Sequence, residues 1–339
     1  MRRWLLGTLF ALLALAVLAG GWLAVRLHDQ PDLAGVQDLL LSTPPRPGAD
    51  LSVTFFGVST LLFTDGETSL LTDGFFSRPG LVETLAGRIE PDREGVRTAL
   101  EAAGITRLAA LFVVHSHYDH AMDAAEVARR TGALVVGSES TANVARGDGL
   151  DEARIRVVTP GEAMSFGRFR VTMLASRHFP HGMAMGEIRE PLQPSARAIA
   201  YLEGGSYSVL VEHPLGRVLV QGSAGFEPGA LRDVRADLVL LGIGALGTRE
   251  RAYAEAYWRE TARSVATRRV IPIHWDDFTR PFSEPLQPMP RLLDDFDASL
   301  RFLREQAAAD GVELRFVTER RPVAALPVRV APDSAADSR

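Results

Sequence analysis

Three histidines and one aspartate fall inside a single hexapeptide, His115-Ser116-His117-Tyr118-Asp119-His120, directly after an apolar stretch at 108–114. A run of that kind reads as a buried strand, so the cluster is delivered at the end of a sheet, where ligand and catalytic sites are assembled. His115 and His117, two residues apart, share one side of extended chain, while Asp119 and His120 lie where the chain turns. Neutral imidazole nitrogen and carboxylate oxygen suit zinc, one ion or two, with manganese or iron as alternatives. The chain has no cysteine, which removes thiolate sites, disulfides and thiol nucleophiles. All 37 basic residues are arginine, which removes mechanisms built on a lysine nucleophile. With a net charge of −5 there is no basic excess to neutralise phosphates, and nucleic acid is not an expected partner.

A second feature is an apolar run of 22 residues from Trp4 to Val25, preceded by Arg2 and Arg3. At about 1.5 Å of rise per residue it covers roughly 30 Å of hydrocarbon, so residues 1–26 are expected to be a transmembrane helix, with a cleaved signal peptide as the alternative. The positive flank stays in the cytoplasm. The expected location is therefore the bacterial inner membrane with the domain in the periplasm, or the periplasm or exterior after cleavage. Residues 27–50, with Pro31, Pro44, Pro45 and Pro47, read as a linker.

From residue 51 short apolar runs alternate with amphipathic stretches. Strands are expected at 51–56, 59–63, 69–72, 108–114, 133–137, 154–159, 168–175, 198–203, 206–212, 217–222, 237–243, 270–273 and 312–317. Helices are expected at 92–103, 121–131, 251–267 and 291–309, and 179–197 reads as a loop. Two sheet-plus-helix halves imply an α/β layered sandwich over 51–318, each sheet needing its outer face covered. Residues 319–339 read as a polar tail, and His213, in a hairpin turn, as exposed.

The hexapeptide matches H-x-H-x-D-H, and the chain from about 51 to 318 resembles the metallo-β-lactamase fold superfamily, whose architecture is a four-layer αββα sandwich. Within it, Phe56-Gly57-Val58-Ser59-Thr60 and Leu70-Leu71-Thr72-Asp73-Gly74-Phe75-Phe76-Ser77 look like the branch containing L-ascorbate-6-phosphate lactonase and N-acyl-phosphatidylethanolamine phospholipase D. The resemblance implies a first metal held by His115, His117 and His178, and a second by Asp119, His120 and His274. His181, three residues on, is the alternative to His178; otherwise it contacts ligands or substrate. Asp73 is expected to orient ligands. The chain departs from the pattern at Gln221-Gly222-Ser223, where the family has Gly-Asp and that aspartate bridges both metals. A neutral hydroxyl is a poorer ligand than a carboxylate, which weakens the second site unless another acid, such as Asp276 or Asp277, compensates.

The function this implies is hydrolysis by a metal-bound hydroxide, formed because the ion lowers its water's pKa toward about 7. Asp119 is the expected catalytic group, orienting the water or carrying its proton. The expected substrate is a small-molecule or lipid-like ester, lactone or phosphodiester, with Met183 and Met185 of the 179–197 loop suited to an apolar portion. The alternative is a non-catalytic, membrane-tethered binding protein on the same fold, motivated by Ser223. Oligomeric state leaves no signal.

Overall fold

In the computed structural model, which describes residues 2–46 and 48–327, β1 (Ser52–Gly57), β2 (Thr60–Thr64) and β3 (Ser69–Thr72) form an antiparallel meander. The tight β2–β3 turn is closed by Asp65, whose Oδ1 accepts the N–H groups of Glu67 and Thr68. β4 (Ala110–Phe112), β5 (Leu134–Gly137) and β6 (Ile155–Val157) extend the sheet in parallel. Side chains alternate across it: Leu61, Phe63, Leu70, Phe112 and Val136 enter one core, and Leu62, Leu71, Leu111 and Val135 enter another. The second sheet comprises β7 (Ala163–Phe166), β8 (Phe169–Ser176), β9 (Ser206–His213), β10 (Gly216–Gln221), β11 (Leu238–Gly242), β12 (Arg269–Ile273) and β13 (Glu313–Leu314). β14 (Val323–Ala324) returns to pair with β1, making both sheets seven-stranded.

The helices are α1 (Arg2–Leu27), α2 (Leu81–Ala86), α3 (Arg93–Ala102), α4 (Tyr118–Ala121), α5 (Ala124–Thr131), α6 (Glu139–Gly147), α7 (Arg251–Trp258) and α8 (Phe296–Asp310). Val96, Leu100, Val127, Ala128 and Val144 of α3, α5 and α6 close the outer core of the first sheet. Tyr257, Trp258, Phe296 and Leu303 of α7 and α8 pack with the second. This is the two-sheet α/β sandwich expected. α3 starts where Asp92 accepts from Gly95 N, and α8 where Asp295 accepts from Ala298 N, so α8 begins later than 291. α7 runs into a π-helical stretch, Arg259–Arg263, rather than continuing regularly to 267.

Several expectations are corrected. Residues 198–203 are not a strand: Ala198–Ala200 is a 3-10 turn, and Glu203 O is used by Ser116 N rather than by a sheet neighbour. α2, α6, β7 and β14 were not read from the sequence. Residues 27–50 do not form a free tether. Val36 is fully buried in the core, Leu41 N donates to Phe316 O, and Arg304 pairs with Asp38. His213 is buried, not exposed, with Nε2 3.3 Å from Asp65 Oδ2. Of the expected tail, 319–327 reaches β14 and 328–339 lies outside the described residues. Residues Arg2–Leu27 do form one helix, but its expected role as a membrane span is not carried by the structure. Among the described residues no helix is long and apolar enough to cross a membrane, and the side chains at 2, 3, 5–7, 9, 11 and 16 lie outside the described ones.

Candidate metal centre

The parallel strands place their C-terminal ends together. β4 leads into His115, β12 into His274, and β10 into Ser223, while β8, antiparallel to β9, leads into His178. The chain then turns at once into α4, which carries Asp119 and His120 on a single turn. The result is two adjoining groups, His115 with His117 and His178, and Asp119 with His120 and His274. Within each group the candidate donor atoms lie within 4.8 Å of one another. The groups meet at His115 and His120, whose ring centroids are 3.8 Å apart. His115 and His178 are separated by 4.5 Å, His117 and His178 by 4.6 Å, and His120 and His274 by 5.3 Å.

Hydrogen bonds at the rear of the rings set which nitrogen faces inward. His120 Nδ1 donates to Asp73 Oδ2 at 2.8 Å, leaving Nε2 buried without a partner. His178 Nδ1 donates to Phe179 O at 2.8 Å, and His117 Nε2 donates to Ala184 O at 3.2 Å. The Ala184 carbonyl belongs to the 179–197 loop, so that loop orients a candidate ligand. Both ring nitrogens of His115 are buried and unpartnered. An orphaned imidazole nitrogen in a buried cluster is costly unless something else binds it.

Electrostatics support the same reading for the first group. Burial, then the surrounding imidazoles, holds the His115 pKa well below its usual value. Burial brings His117 down to about 4 and His178 down to about 3. These three rings are therefore neutral at pH 7, the form that ligates. The second group differs. Burial opposes the charge on His120, but Asp119 and Asp73 raise its pKa to about 10. Burial works to raise Asp119, but His120 and His274 hold it well below the usual carboxylate range. Asp119 Oδ2 lies 3.4 Å from both His120 Nε2 and His274 Nε2. Those contacts are long for hydrogen bonds and would both suit an intervening cation. A neutral three-nitrogen group thus adjoins a group with one anionic oxygen, and these donor sets fit divalent zinc-like ions.

His274 sits at φ +54°, a strained conformation for a non-glycine residue. Two hydrogen bonds fix it: His274 N donates to Val58 O at 2.7 Å, and Val58 N donates to Asp276 Oδ1 at 2.6 Å. Asp276 is in turn bound by Arg78 at 2.8 Å, with both side chains almost wholly buried. Asp276 is therefore committed elsewhere, and Asp277 accepts from Gln30 and Thr279; neither joins a donor group. Ser223 is also engaged, its Oγ accepting from Phe179 N at 2.9 Å. His181 lies beside the cluster, 4.7 Å from His178 and 5.7 Å from His117 between ring centroids, but outside both donor groups. Phe278 walls the second group, 5.6 Å from His274, and Tyr118 packs against Phe278 at 6.3 Å between ring centroids. The Arg78–Asp276 pair and the Ser59 hydroxyl, which donates to Asp73 Oδ2, escaped sequence reasoning. Polar residues flanking β1–β3 carry no local mark of a partner so remote.

A sequence profile of the Beta-lactamase superfamily domain matches residues 69–275. A UPF0173 metal-dependent hydrolase of Heliobacterium modesticaldum is 25% identical, the match covering 67% of this chain and 84% of that one. A metallo hydrolase from the archaeon Ignicoccus hospitalis superposes with a TM-score of 0.50 at 14% identity, covering 81% of this chain and 98% of that one. An isothiocyanate hydrolase from Delia radicum gut bacteria gives a TM-score of 0.50 at 13% identity, covering 80% and 98%. At such identities the structural likeness is one of fold.

Proposed function

On the premise that the chain belongs to the β-lactamase superfamily, whose domain profile spans residues 69–275, and is a metal-dependent hydrolase like its relatives, we propose that it cleaves an ester, lactone or phosphodiester at a two-ion centre. His115, His117 and His178 hold one ion, and Asp119, His120 and His274 hold the other. The observation that carries the assignment is the pair of donor groups, each within 4.8 Å internally, with buried nitrogens of His115 and His120 left unpartnered. Zinc is the ion favoured by this nitrogen-rich set, with manganese and iron as alternatives.

A bound ion supplies Lewis acidity and acidifies a water at neutral pH. The protein's own contribution is orientation and charge. Asp73 and Ala184 aim His120 and His117, and the Val58–Asp276 link holds His274. The Asp119 carboxylate lies where it can accept a proton from the attacking water or orient it. Tyr118 and Phe278 exclude bulk water from that side. The two groups are unequal, since Ser223 supplies no carboxylate between them.

The resemblance of residues 56–60 and 70–77 to the lactonase and phospholipase branch supports the choice of bond. A periplasmic domain tethered at the bacterial inner membrane rests on the positively flanked apolar run at 4–25 alone, and a lipid-like substrate on that run together with Met183 and Met185 of the 179–197 loop. Elemental analysis of the purified chain, with hydrolysis assays on lactones, phosphodiesters and N-acyl phospholipids, tests the chemistry. A metal-free protein inert toward all three would overturn it. Recovery of the chain in the alkaline-wash supernatant of membranes would remove the tether.

A further inference from the structure

Every other described arginine that is buried or half-buried reaches a carboxylate or a backbone carbonyl. Arg249 is half-buried and reaches neither, and its Nε is buried without a hydrogen-bond partner. Its guanidinium instead stacks on aromatic rings, 4.5 Å from the Phe179 centroid and 5.9 Å from that of Tyr253. Such stacking positions the cation over the ring face while leaving its N–H fork open.

Phe179 ties this cation to the metal centre. Its carbonyl accepts from His178 Nδ1 and its N–H donates to Ser223 Oγ, so the residue that carries Arg249 also touches a candidate ligand. The Phe179 ring also lies 6.2 Å from that of His181, which is in turn 4.7 Å from His178 between ring centroids. Arg249 also lines a cleft of about 180 Å³ between the 246–254 segment and α8. Arg251 and Arg301 also line it, Arg251 being neutralised by Glu255 and Glu305. Ser299, 1% exposed and with its Oγ unpartnered, is a further polar group there.

We propose that Arg249 is a specificity-determining residue that binds an anionic group of the substrate, a carboxylate or a phosphate, while the scissile bond lies at the metal centre. The proposal rests on the hydrolase reading for its second half only. A planar guanidinium without an acid partner is suited to bidentate recognition of either anion. Loss of one charge-assisted contact corresponds to roughly 10- to 100-fold in affinity.

The test uses the full chain loaded with zinc, as wild type, Arg249→Gln and Arg249→Lys. Calorimetric titration with benzoate and with phenylphosphonate reads binding, and the two probes separate a carboxylate from a phosphorus anion. The expected result is that at least one binds and that Arg249→Gln weakens it roughly 10- to 100-fold, Arg249→Lys less. In kinetics, the kcat/KM for mono-4-nitrophenyl glutarate, whose carboxylate is remote from the scissile ester, relative to that for uncharged 4-nitrophenyl acetate falls by a similar factor, through KM. Wild type binding neither anion, or Arg249→Gln binding both as tightly as wild type, overturns the proposal. If wild type hydrolyses neither ester, the hydrolase reading fails while calorimetry still decides the role of Arg249.

Discussion

Nδ1 of His120 lies 2.8 Å from Oδ2 of Asp73, and this contact makes Nε2 the nitrogen left for an ion. The same carboxylate accepts from Ser59 Oγ and, through Oδ1, from Val114 N, so Asp73 joins β2, β3 and the end of β4 to the site. In Asp73→Asn the amide can still accept from Val114 N, but its NH₂ meets His120 and favours the wrong tautomer. One ion is then expected to bind roughly 10- to 100-fold more weakly, with the other unchanged. Competition titration with a chromogenic chelator checks this, and equal weakening of both ions would point to general unfolding.

The Arg78–Asp276 pair is a different kind of support, because both charges are withdrawn from water, with side-chain exposures of 1% and 0%. Removing one partner strands the other. Arg78→Met is expected to destabilise the fold by about 3–5 kcal/mol in denaturant titration. Arg78→Met combined with Asp276→Asn should recover part of that loss, because the charge is gone while an oxygen remains for Val58 N. A single variant as stable as wild type would show that the pair does not hold this corner.

These two contacts also mark where sequence reading stops. His115 follows an apolar run that reads as a buried strand, so its place at a sheet end is legible from the residues, whereas the convergence of His178 and His274 on the cluster is what the family resemblance implies, and their donor atoms do lie within 4.8 Å of their group partners. His178 enters a donor group where His181 does not, in keeping with its place directly after β8. Arg78 and Asp276 are separated by 198 residues, and nothing in the neighbourhood of either announces the other. His213 misleads for a similar reason: its hairpin looks exposed, but Asp65 of the β2–β3 turn and the Phe169 ring of β8 close over it. Residues 27–50 are rich in proline, yet Val36 is buried in the core, Arg304 of α8 donates to Gly35 O, and Leu41 N donates to Phe316 O, none of which composition reveals.

Ser223 stands beside His178 through Phe179 N, at the position the family resemblance assigns to a bridging carboxylate. Ser223→Asp adds an anionic oxygen there. It is expected to tighten one of the two ions by roughly tenfold or more, the scale on which changes around a ligand set register. Zinc titration followed by mass spectrometry under non-denaturing conditions measures the occupancy of each step. An unchanged second step would show that residue 223 does not face the space between the two groups.

Asp294 gives a pH signature outside the donor groups themselves, with His274 of the second group one of the influences that hold its pKa down. It is 4% exposed, Oδ1 has no hydrogen-bond partner, and burial pushes its pKa up to about 6 despite the N–H groups of Ala245 and Asp295. A carboxyl whose folded pKa is raised binds its proton more tightly in the folded state. Its stabilising contribution is complete below the unfolded value near 4 and is lost as pH rises to about 6. Asp294→Asn keeps an acceptor oxygen but cannot ionise, so it should lack that loss. Relative to wild type its stability is expected to rise by roughly 2–3 kcal/mol between pH 4 and pH 7 and then level off. Urea titrations at pH 4, 5, 6, 7 and 8 read the difference directly, and parallel curves for the two proteins would show that folding does not raise the Asp294 pKa.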